Sequence, residues 1–186
     1  MILEIGISER KMVNSKLIIV RGPPGSGKST IAKIIGEKLA GKSIVFSKDS
    51  FLIGVNFMNT DSKEAQREIV KLIIIYYLRK KYNVVIDGLF GGKDGAKKLD
   101  GLKSLAIKNK SDFYVINLNC SLKDSFSRIL TRKGHIVPGK FSRKEIIKWY
   151  KYFYQTKYDK GIEINTEELN LDETVKLILE KIRGRN

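Results

Sequence analysis

The chain has 186 residues, 42% hydrophobic and 30% charged, which is the composition of a globular protein with room for one core. Its longest apolar runs, such as LIIIYYL at 72–78, fall well short of the roughly 20 residues that a helix needs to cross a bilayer. The only cysteine, Cys120, excludes an internal disulfide. No secretory signal is visible at the start, so we expect a cytoplasmic protein without a membrane partner.

The net charge is large and unevenly distributed. The chain contains 36 basic and 20 acidic residues, giving +16, and residues 93–160 alone contain 17 basic and 6 acidic groups. A positive field of this kind steers polyanions and phosphorylated substrates toward a protein. Lysine-rich and isoleucine-rich composition is also common in hyperthermophile proteins, whatever they bind. The charge therefore leaves open both a nucleic-acid or phosphorylated substrate and simple background composition.

Strands and helices alternate along the chain. The predicted strands are apolar or β-branched runs at 16–20, 43–47, 83–88, 112–119 and, more weakly, 161–166. The predicted helices show apolar spacings of three and four, at 31–39, 61–81, 100–109, 121–133, 142–158 and 171–182. This alternation predicts an α/β layer fold with a largely parallel sheet. We expect one domain over 1–186, with residues 1–14 as an N-terminal extension.

Spacing also predicts how the helices begin and which side chains they bury. Asp61 is the predicted N-cap of the second helix, and Ser121 with Asp124 has the spacing of a capping box. The predicted buried face of the second helix consists of Ile69, Leu72, Ile73 and Tyr76.

The helix at 142–158 interleaves aromatic residues and lysines in WYKYFY (149–154). Such a pattern forms nucleic-acid platforms, because bases stack on aromatic faces while lysines neutralise phosphates. On a helix, however, four of its apolar residues form one stripe that packs more simply against the sheet: Ile146, Trp149, Tyr150 and Phe153. We favour the core interpretation, which leaves Tyr152 as the exposed aromatic residue.

The stretch VRGPPGSGKST, at 20–30, contains the pattern G-x-x-x-x-G-K-[ST] between a buried strand and an amphipathic helix. Glycines let successive backbone N–H groups point at phosphate oxygens, and the helix N-terminus adds partial positive charge. Lys28 is predicted to reach the β- and γ-phosphates, and the Ser29 hydroxyl to ligate Mg²⁺. We therefore predict a nucleoside triphosphate site formed by Gly22, Gly25, Ser26, Gly27, Lys28, Ser29 and Thr30.

Two acidic residues follow predicted strands, at the edge where parallel sheets bind ligands. Asp87, in VVIDG, has the Walker B form and is the predicted metal residue, although Asp-Gly is also a common turn. Asp49, in FSKDSF, is a candidate base for a hydroxyl acceptor, and a helix cap is the alternative.

Arg128 and Arg132 stand four residues apart in FSRILTRKGHIVPGK and precede an irregular basic segment. Guanidinium groups stabilise the charge of a transferred phosphoryl group, and a mobile segment can deliver them while excluding water. We predict a lid over about 128–143, although a solvated charged face would show the same spacing. The only histidine, His135, has no neighbours with metal-ligand spacing and is predicted to lie on the lid surface.

With these elements assembled, the chain resembles the small P-loop kinases of the nucleotide-kinase-like group, and most nearly the polynucleotide kinase, zeta-toxin and chloramphenicol phosphotransferase branch. The resemblance spans about residues 16–182 and rests on GPPGSGKST, SKDSF, VVIDGLF and VINLNCSLKDSFSRILTRK. It implies a three-layer α/β/α fold, a five-stranded parallel sheet of order 2-3-1-4-5, and ATP with Mg²⁺ as donor. It implies Asp49 as the base, Arg128 and Arg132 as lid groups, and an adenine beside the loop within IEINTEELNLDETVKLIL.

One position departs from this family. Polynucleotide kinases usually have an arginine three residues after the base to grip the substrate's phosphate, and here that residue is Leu52. Lys48 supplies a point charge, which does not reproduce the two parallel hydrogen bonds that an arginine donates to a phosphate. We expect an ATP-dependent kinase acting on a hydroxyl, with a nucleic acid 5′-end or a nucleotide-like acceptor preferred. The alternatives are a small-metabolite kinase and an ATP-sensing binding module.

Overall fold

The structure is a computed structural model that describes residues 14–48, 62–131 and 142–184. Several residues singled out above lie outside these ranges, namely Asp49, Leu52, Asp61, Arg132 and His135. The lid predicted over about 128–143 is likewise described only at its two ends.

Five strands form one sheet in the order β2-β3-β1-β4-β5, with every neighbouring pair parallel. The strands are β1 (Lys16–Arg21), β2 (Ser43–Ser47), β3 (Asn83–Gly88), β4 (Asp112–Asn119) and β5 (Ile162–Asn165). β1 and β3 are buried along their whole length, as continuous apolar runs predict for the centre of a parallel sheet. The predicted strand order is confirmed.

Six helices in the described residues connect and flank the strands: α1 (Lys28–Lys38), α2 (Ser62–Arg79), α3 (Gly95–Lys108), α4 (Leu122–Thr131), α5 (Arg143–Tyr154) and α6 (Leu171–Arg183). One apolar cluster joins the sheet to α1 and α6, including Ile35 and Ile178. A second cluster on the opposite face joins it to α2 and α3, including Ile74 and Leu99. The sheet therefore lies between two helical layers, as predicted, and within the described residues no helix has the length and apolarity to span a membrane.

Two helix boundaries differ from the prediction. α3 begins at Gly95 rather than at about residue 100, because Gly95 lets the helix approach Thr156, whose side chain occupies the space of a Cβ. α5 ends at Tyr154 rather than at about 158. Thr156 turns the chain there, since its hydroxyl donates a hydrogen bond to the carbonyl of Gly92.

The predicted buried face of α2 was wrong at two positions. Leu72 and Tyr76 are 65% and 58% exposed, whereas Val70, Ile74 and Leu78 face the core. The helix carries apolar residues on nearly every side in IVKLIIIYYL, so its periodicity does not select one face. Contact with β1 and β3, which no local pattern reveals, determines which residues are buried.

Candidate active site

The phosphate-binding loop connects the end of β1 to the start of α1. Gly25 and Gly27 have φ values of 77° and 84°, the left-handed conformation that glycine adopts without steric penalty. Gly27 is the N-cap of α1 and has no side chain there, so the first-turn N–H groups stay open to a ligand. Ser29 and Thr30 are exposed in that first turn. The predicted loop therefore has the backbone conformation that an anion site requires.

Close packing holds this loop against β4 and α4. A Cβ on Gly22 would lie 2.8 Å from the carbonyl oxygen of Leu118, and one on Gly25 would lie 2.7 Å from that of Ser125. The Ser125 hydroxyl also donates a hydrogen bond of 2.7 Å to the carbonyl of Pro24. The loop thus cannot take larger residues at these positions without moving away from its supports.

Two polar side chains of the loop face inward. The Lys28 ammonium donates a 2.9 Å hydrogen bond to the carbonyl of Pro23, which draws the side chain back across the loop. The Ser26 side chain is 1% exposed, and within the described ranges its hydroxyl has no hydrogen-bond partner. A buried hydroxyl without a partner is energetically costly unless a ligand supplies one.

Asp87 lies at the carboxyl end of β3, in register with Val20 of β1 and Ser47 of β2. The residue is 2% exposed, and its Oδ1 atom has no hydrogen-bond partner in the part of the chain that the structure describes. A desolvated carboxylate oxygen without a donor fits a hard cation such as Mg²⁺. Asp87, with Ser29 in the adjacent loop, is therefore the residue that could hold a metal.

The segment predicted to contain the base leaves the sheet at the same edge. β2 ends at Ser47, whose Cα pairs with that of Asp87. The Lys48 ammonium, one residue further, lies 5.2 Å from the centre of the Phe90 ring, just after β3. Asp49 follows immediately and lies outside the described residues.

Arg21, the last residue of β1, is a buried functional candidate that the sequence interpretation missed. It is 1% exposed and donates hydrogen bonds to Oδ1 of Asn117 and to the carbonyls of Phe153 and Thr156. Its guanidinium carbon lies 4.4 Å from the centre of the Phe153 ring, within the range of a cation–π contact. The available signal was a cation directly after the apolar run LIIV (17–20), one residue before the loop.

Burial dominates the electrostatics of Arg21. Desolvation lowers the pKa of its guanidinium to about 10, and the charge of Glu163 partly opposes this effect. Asn117 links Glu163 to Arg21, because it accepts a hydrogen bond from Arg21 and donates one to the Glu163 carboxylate. Asn119 donates a second hydrogen bond to that carboxylate. A polar row of Arg21, Asn117 and Glu163 therefore crosses three strands near the carboxyl edge.

Arg128, a predicted lid residue, connects α4 to the turn after β5. Its two Nη atoms donate hydrogen bonds of 2.8–2.9 Å to the Asp124 carboxylate and to the hydroxyl and carbonyl of Thr166. Asp124 therefore does not complete the predicted capping box. Its N–H donates to the Ser121 hydroxyl, but the Ser121 N–H is satisfied by Glu167 instead. The structure thus fixes Arg128 against the turn where the family resemblance places an adenine.

Cys120 follows β4 beside these groups and is 4% exposed. Burial raises the pKa of its thiol to about 11, although the charges of Arg128 and Lys28 act in the opposite direction. Its carbonyl accepts hydrogen bonds from the hydroxyls of Tyr150 and Tyr154, at 2.9 Å and 3.1 Å. The end of β4 is therefore covered by α5.

We predict that native Cys120 reacts with iodoacetamide at pH 8 about 100-fold more slowly than the unfolded chain, because a thiol pKa raised from 9.0 to about 11 removes most of the thiolate. The raised pKa also means that this thiol's contribution to stability is present below pH 9 and is lost as pH rises through about 11. Labelling followed by mass spectrometry, with and without guanidinium chloride, measures the ratio. Equal native and unfolded rates would contradict the prediction.

The apolar and aromatic residues of α5 divide between core and surface. Ile146 and Phe153 are buried, as the stripe prediction requires, while Trp149 and Tyr150 are half-buried. The exposed aromatic residue is Tyr154, 41% exposed, and not Tyr152. Tyr152 is half-buried because its ring lies against Gly92, in the space of a Cβ.

A parallel sheet of order 2-3-1-4-5 and a glycine loop entering a helix from the central strand together define a P-loop domain of the kinase type. The family described as AAA domain (AAA_33) matches residues 17–154. The chain belongs to this family.

Among curated proteins, the chain is similar to the cytidylate kinase of Sulfurisphaera tokodaii, with 34% identity over 84 residues that cover 41% of this chain and 47% of that protein. The chain spans 20% and 47% of the lengths of the curated relatives it matches.

Solved structures share the fold. The APS kinase CysC of Mycobacterium tuberculosis, in complex with AMPPNP and APS, superimposes with a TM-score of 0.67 at 15% identity, covering 92% of this chain and 99% of that one. A chain of the Pnkp1/Rnl/Hen1 RNA repair complex superimposes with a TM-score of 0.60 at 21% identity, covering 82% and 49%. One of these structures is an APS kinase and the other belongs to an RNA repair complex, so the shared fold does not define the function of this chain.

Proposed function

We propose that the protein is an ATP- and Mg²⁺-dependent kinase that transfers the γ-phosphoryl group to a hydroxyl acceptor, preferably a nucleic acid 5′-end or a nucleotide-like molecule. One observation carries the proposal. A buried carboxylate oxygen of Asp87, without a hydrogen-bond donor among the described residues, lies at the strand edge where the phosphate-binding loop begins. A loop that binds triphosphate and an adjacent carboxylate for a cation are the two parts that phosphoryl transfer requires.

The residues of this site have distinct proposed roles. The backbone of Gly22–Gly27 and the side chains of Lys28 and Thr30 hold the triphosphate, while Ser29 and Asp87 hold Mg²⁺. The metal, when bound, neutralises charge on the β- and γ-phosphates. Asp49 accepts the proton of the acceptor hydroxyl, because its segment leaves β2 beside Asp87.

The two predicted lid arginines enter the proposal differently. Arg132, in the predicted lid segment, stabilises the negative charge of the phosphoryl group during transfer. Arg128 acts at the base of that lid, where its contacts with Asp124 and Thr166 join α4 to the turn after β5.

Two observations favour each of the two candidate acceptors. The 17 basic and 6 acidic residues of 93–160, together with the similarity to a chain of an RNA repair complex, favour a nucleic-acid acceptor. Leu52 in place of an arginine and the similarity to a gluconokinase structure, with a TM-score of 0.57, favour the second candidate, a small-metabolite kinase. In an ATP-sensing module, by contrast, nucleotide binding would move the lid without phosphorylating anything.

An acceptor screen tests the proposal. The protein is incubated with γ-labelled ATP and Mg²⁺ and with 5′-hydroxyl RNA, 5′-hydroxyl DNA, nucleosides or sugars, and the transferred label is measured. Label on a 5′-hydroxyl oligonucleotide or a nucleoside is the expected result, and label on a sugar alone would favour the second candidate. Label that passes only to water would contradict the kinase proposal. Lys28→Ala is the control, because it removes the ammonium that contacts the phosphates.

A further inference from the structure

The outer side of α2 exposes two large apolar residues one helical turn apart. Leu72 is 65% and Tyr76 is 58% exposed, on the side of the helix opposite the buried Val70 and Ile74. The Tyr76 ring is already held in place, because it meets the ring of Tyr77 edge to face with the ring centres 5.2 Å apart. Single exposed apolar residues are ordinary, but adjacent ones form a patch, and apolar patches mark contact surfaces.

A stripe of four residues runs along this side of α2 at spacings of four, three and four: Glu68, Leu72, Ile75 and Arg79. These spacings keep side chains on one side of a helix, and they are the spacings by which two helices pack together. Glu68 and Arg79 are exposed and Ile75 is half-buried. In chain order the stripe therefore consists of an acid, two apolar residues and a base.

This order makes the stripe complementary to a second copy of itself. If two α2 helices pack antiparallel about a twofold axis, Leu72 stands opposite the partner's Ile75, and Glu68 stands opposite the partner's Arg79. The axis repeats each of these contacts, so the acid and base pair at both ends of the stripe. Parallel packing would instead place acid against acid and base against base, and these like charges repel.

The charged ends of the stripe are available for such a contact. Arg79 forms no ion pair among the residues that the structure describes. Glu68 accepts a 2.6 Å hydrogen bond from Lys71, but both side chains are more than half exposed, and an exposed ion pair contributes little to stability. A second cation opposite Glu68 therefore adds attraction without breaking a strong contact.

We propose that two copies of this chain pair through α2, packed antiparallel about a twofold axis, with the apolar part of the stripe and Tyr76 at the centre of the interface. The contact between the two charged ends spans about three helical turns, or about 18 Å. It is therefore at the small end of specific protein interfaces, and we expect a dissociation constant in the micromolar range.

Both phosphate-binding loops stay accessible in such a dimer. α2 connects the end of β2 to the start of the parallel strand β3, so it runs from the carboxyl edge of the sheet back to the amino edge. Antiparallel packing of α2 therefore points the two carboxyl edges in opposite directions. The pairing goes beyond the proposed function and does not depend on it.

Sedimentation velocity of the full chain over about 1–500 μM tests the pairing. A salt concentration of about 150 mM screens much of the repulsion between two chains of net charge +16. We expect a monomer–dimer equilibrium without larger species, because a twofold interface is closed. Leu72→Gln is expected to weaken the dimer about 10- to 100-fold, since each copy loses a buried apolar side chain. Leu130→Gln is the matched control, because Leu130 is 78% exposed on α4, and it is expected to leave the equilibrium unchanged.

Charge reversal tests the antiparallel arrangement. Glu68→Arg and Arg79→Glu are each expected to weaken the dimer about tenfold, because each places like charges opposite one another at both ends of the interface. The two changes alter the net charge in opposite directions, so general repulsion between the copies would weaken the dimer in one variant and strengthen it in the other. The variant with both reversals restores opposite charges, and its dissociation constant is expected to return to within about threefold of that of the unmodified protein.

A chain that stays monomeric at the highest concentration would overturn the inference. Thermal denaturation would then identify the alternative: loss of stability in Leu72→Gln would show that other residues of the same chain cover this face, and unchanged stability would show that the face is solvated. A dimer that tolerates Leu72→Gln, or that the double charge reversal does not restore, would also overturn the inference. Because sedimentation requires neither ATP nor an acceptor, failure of the kinase proposal would leave this result unaffected.

Discussion

Asp49→Asn is expected to lower kcat for phosphoryl transfer about 100- to 10,000-fold, the usual contribution of a general base, while Kd for ATP changes by less than about twofold. The amide keeps the size of the side chain but cannot accept the proton of the acceptor hydroxyl. The variant also leaves the phosphate-binding loop and Asp87 intact, so ATP should bind as before. Single-turnover transfer and equilibrium nucleotide binding, measured on the same preparation, separate the two effects.

Asp172→Asn is the matched control for this experiment, because Asp172 is an exposed acid on α6, which packs on the other face of the sheet from α2 and α3. Its transfer rate is expected to stay within about twofold of the unmodified protein. Full transfer by Asp49→Asn would show that Asp49 is not the base and would remove it from the proposal. Loss of both ATP binding and phosphoryl transfer would instead give Asp49 a role in nucleotide binding or in folding.

Gly25→Ala is expected to have the largest effect on the nucleotide site. The added Cβ would lie 2.7 Å from the backbone oxygen of Ser125, at a φ of 77°, and neither the backbone of α4 nor the left-handed conformation can easily adapt. The free energy of unfolding should fall by about 1–3 kcal/mol, the usual cost of such backbone strain. ATP affinity should fall more than about tenfold, because the loop must move away from its support.

Gly101→Ala is the control, since a Cβ there meets no atom within 4 Å and Gly101 lies exposed inside α3. It should raise the free energy of unfolding by about 0.5–1 kcal/mol, because alanine favours a helix over glycine, and it should leave ATP affinity unchanged. Thermal denaturation and isothermal titration calorimetry measure both quantities. Unaltered ATP binding in Gly25→Ala would show that the loop conformation does not determine affinity.

The sequence predicted the features that local pattern determines. β1 and β3 are buried runs that are mainly apolar, and Gly25 and Gly27 of the loop have the left-handed conformation that the motif predicts. The strand order came from the family resemblance, because alternation alone predicts a parallel sheet without fixing which strands are neighbours.

Long-range contacts account for the rest. The buried side of α2 depends on its contact with the sheet, because its apolar residues occur on almost every side. Besides Asp124 in the same helix, Arg128 contacts Thr166, 38 residues away, and no spacing within α4 predicts this second contact. The end of α5 is set by Thr156, whose hydroxyl contacts Gly92, 64 residues earlier in the chain. The sequence therefore predicted the strands and the loop better than it predicted the contacts that hold them.

The buried guanidinium of Arg21 links ligand capture to the stability of the empty protein. Desolvation of this cation opposes folding, and Arg21 lies one residue before the loop that is proposed to bind the triphosphate. In a medium of low dielectric constant, a phosphate group at that loop is attracted more strongly than it would be by a surface lysine. On the proposed function, the phosphates of a bound nucleotide would offset part of the cost of burying this cation, so ligand binding and folding stability would be coupled through Arg21.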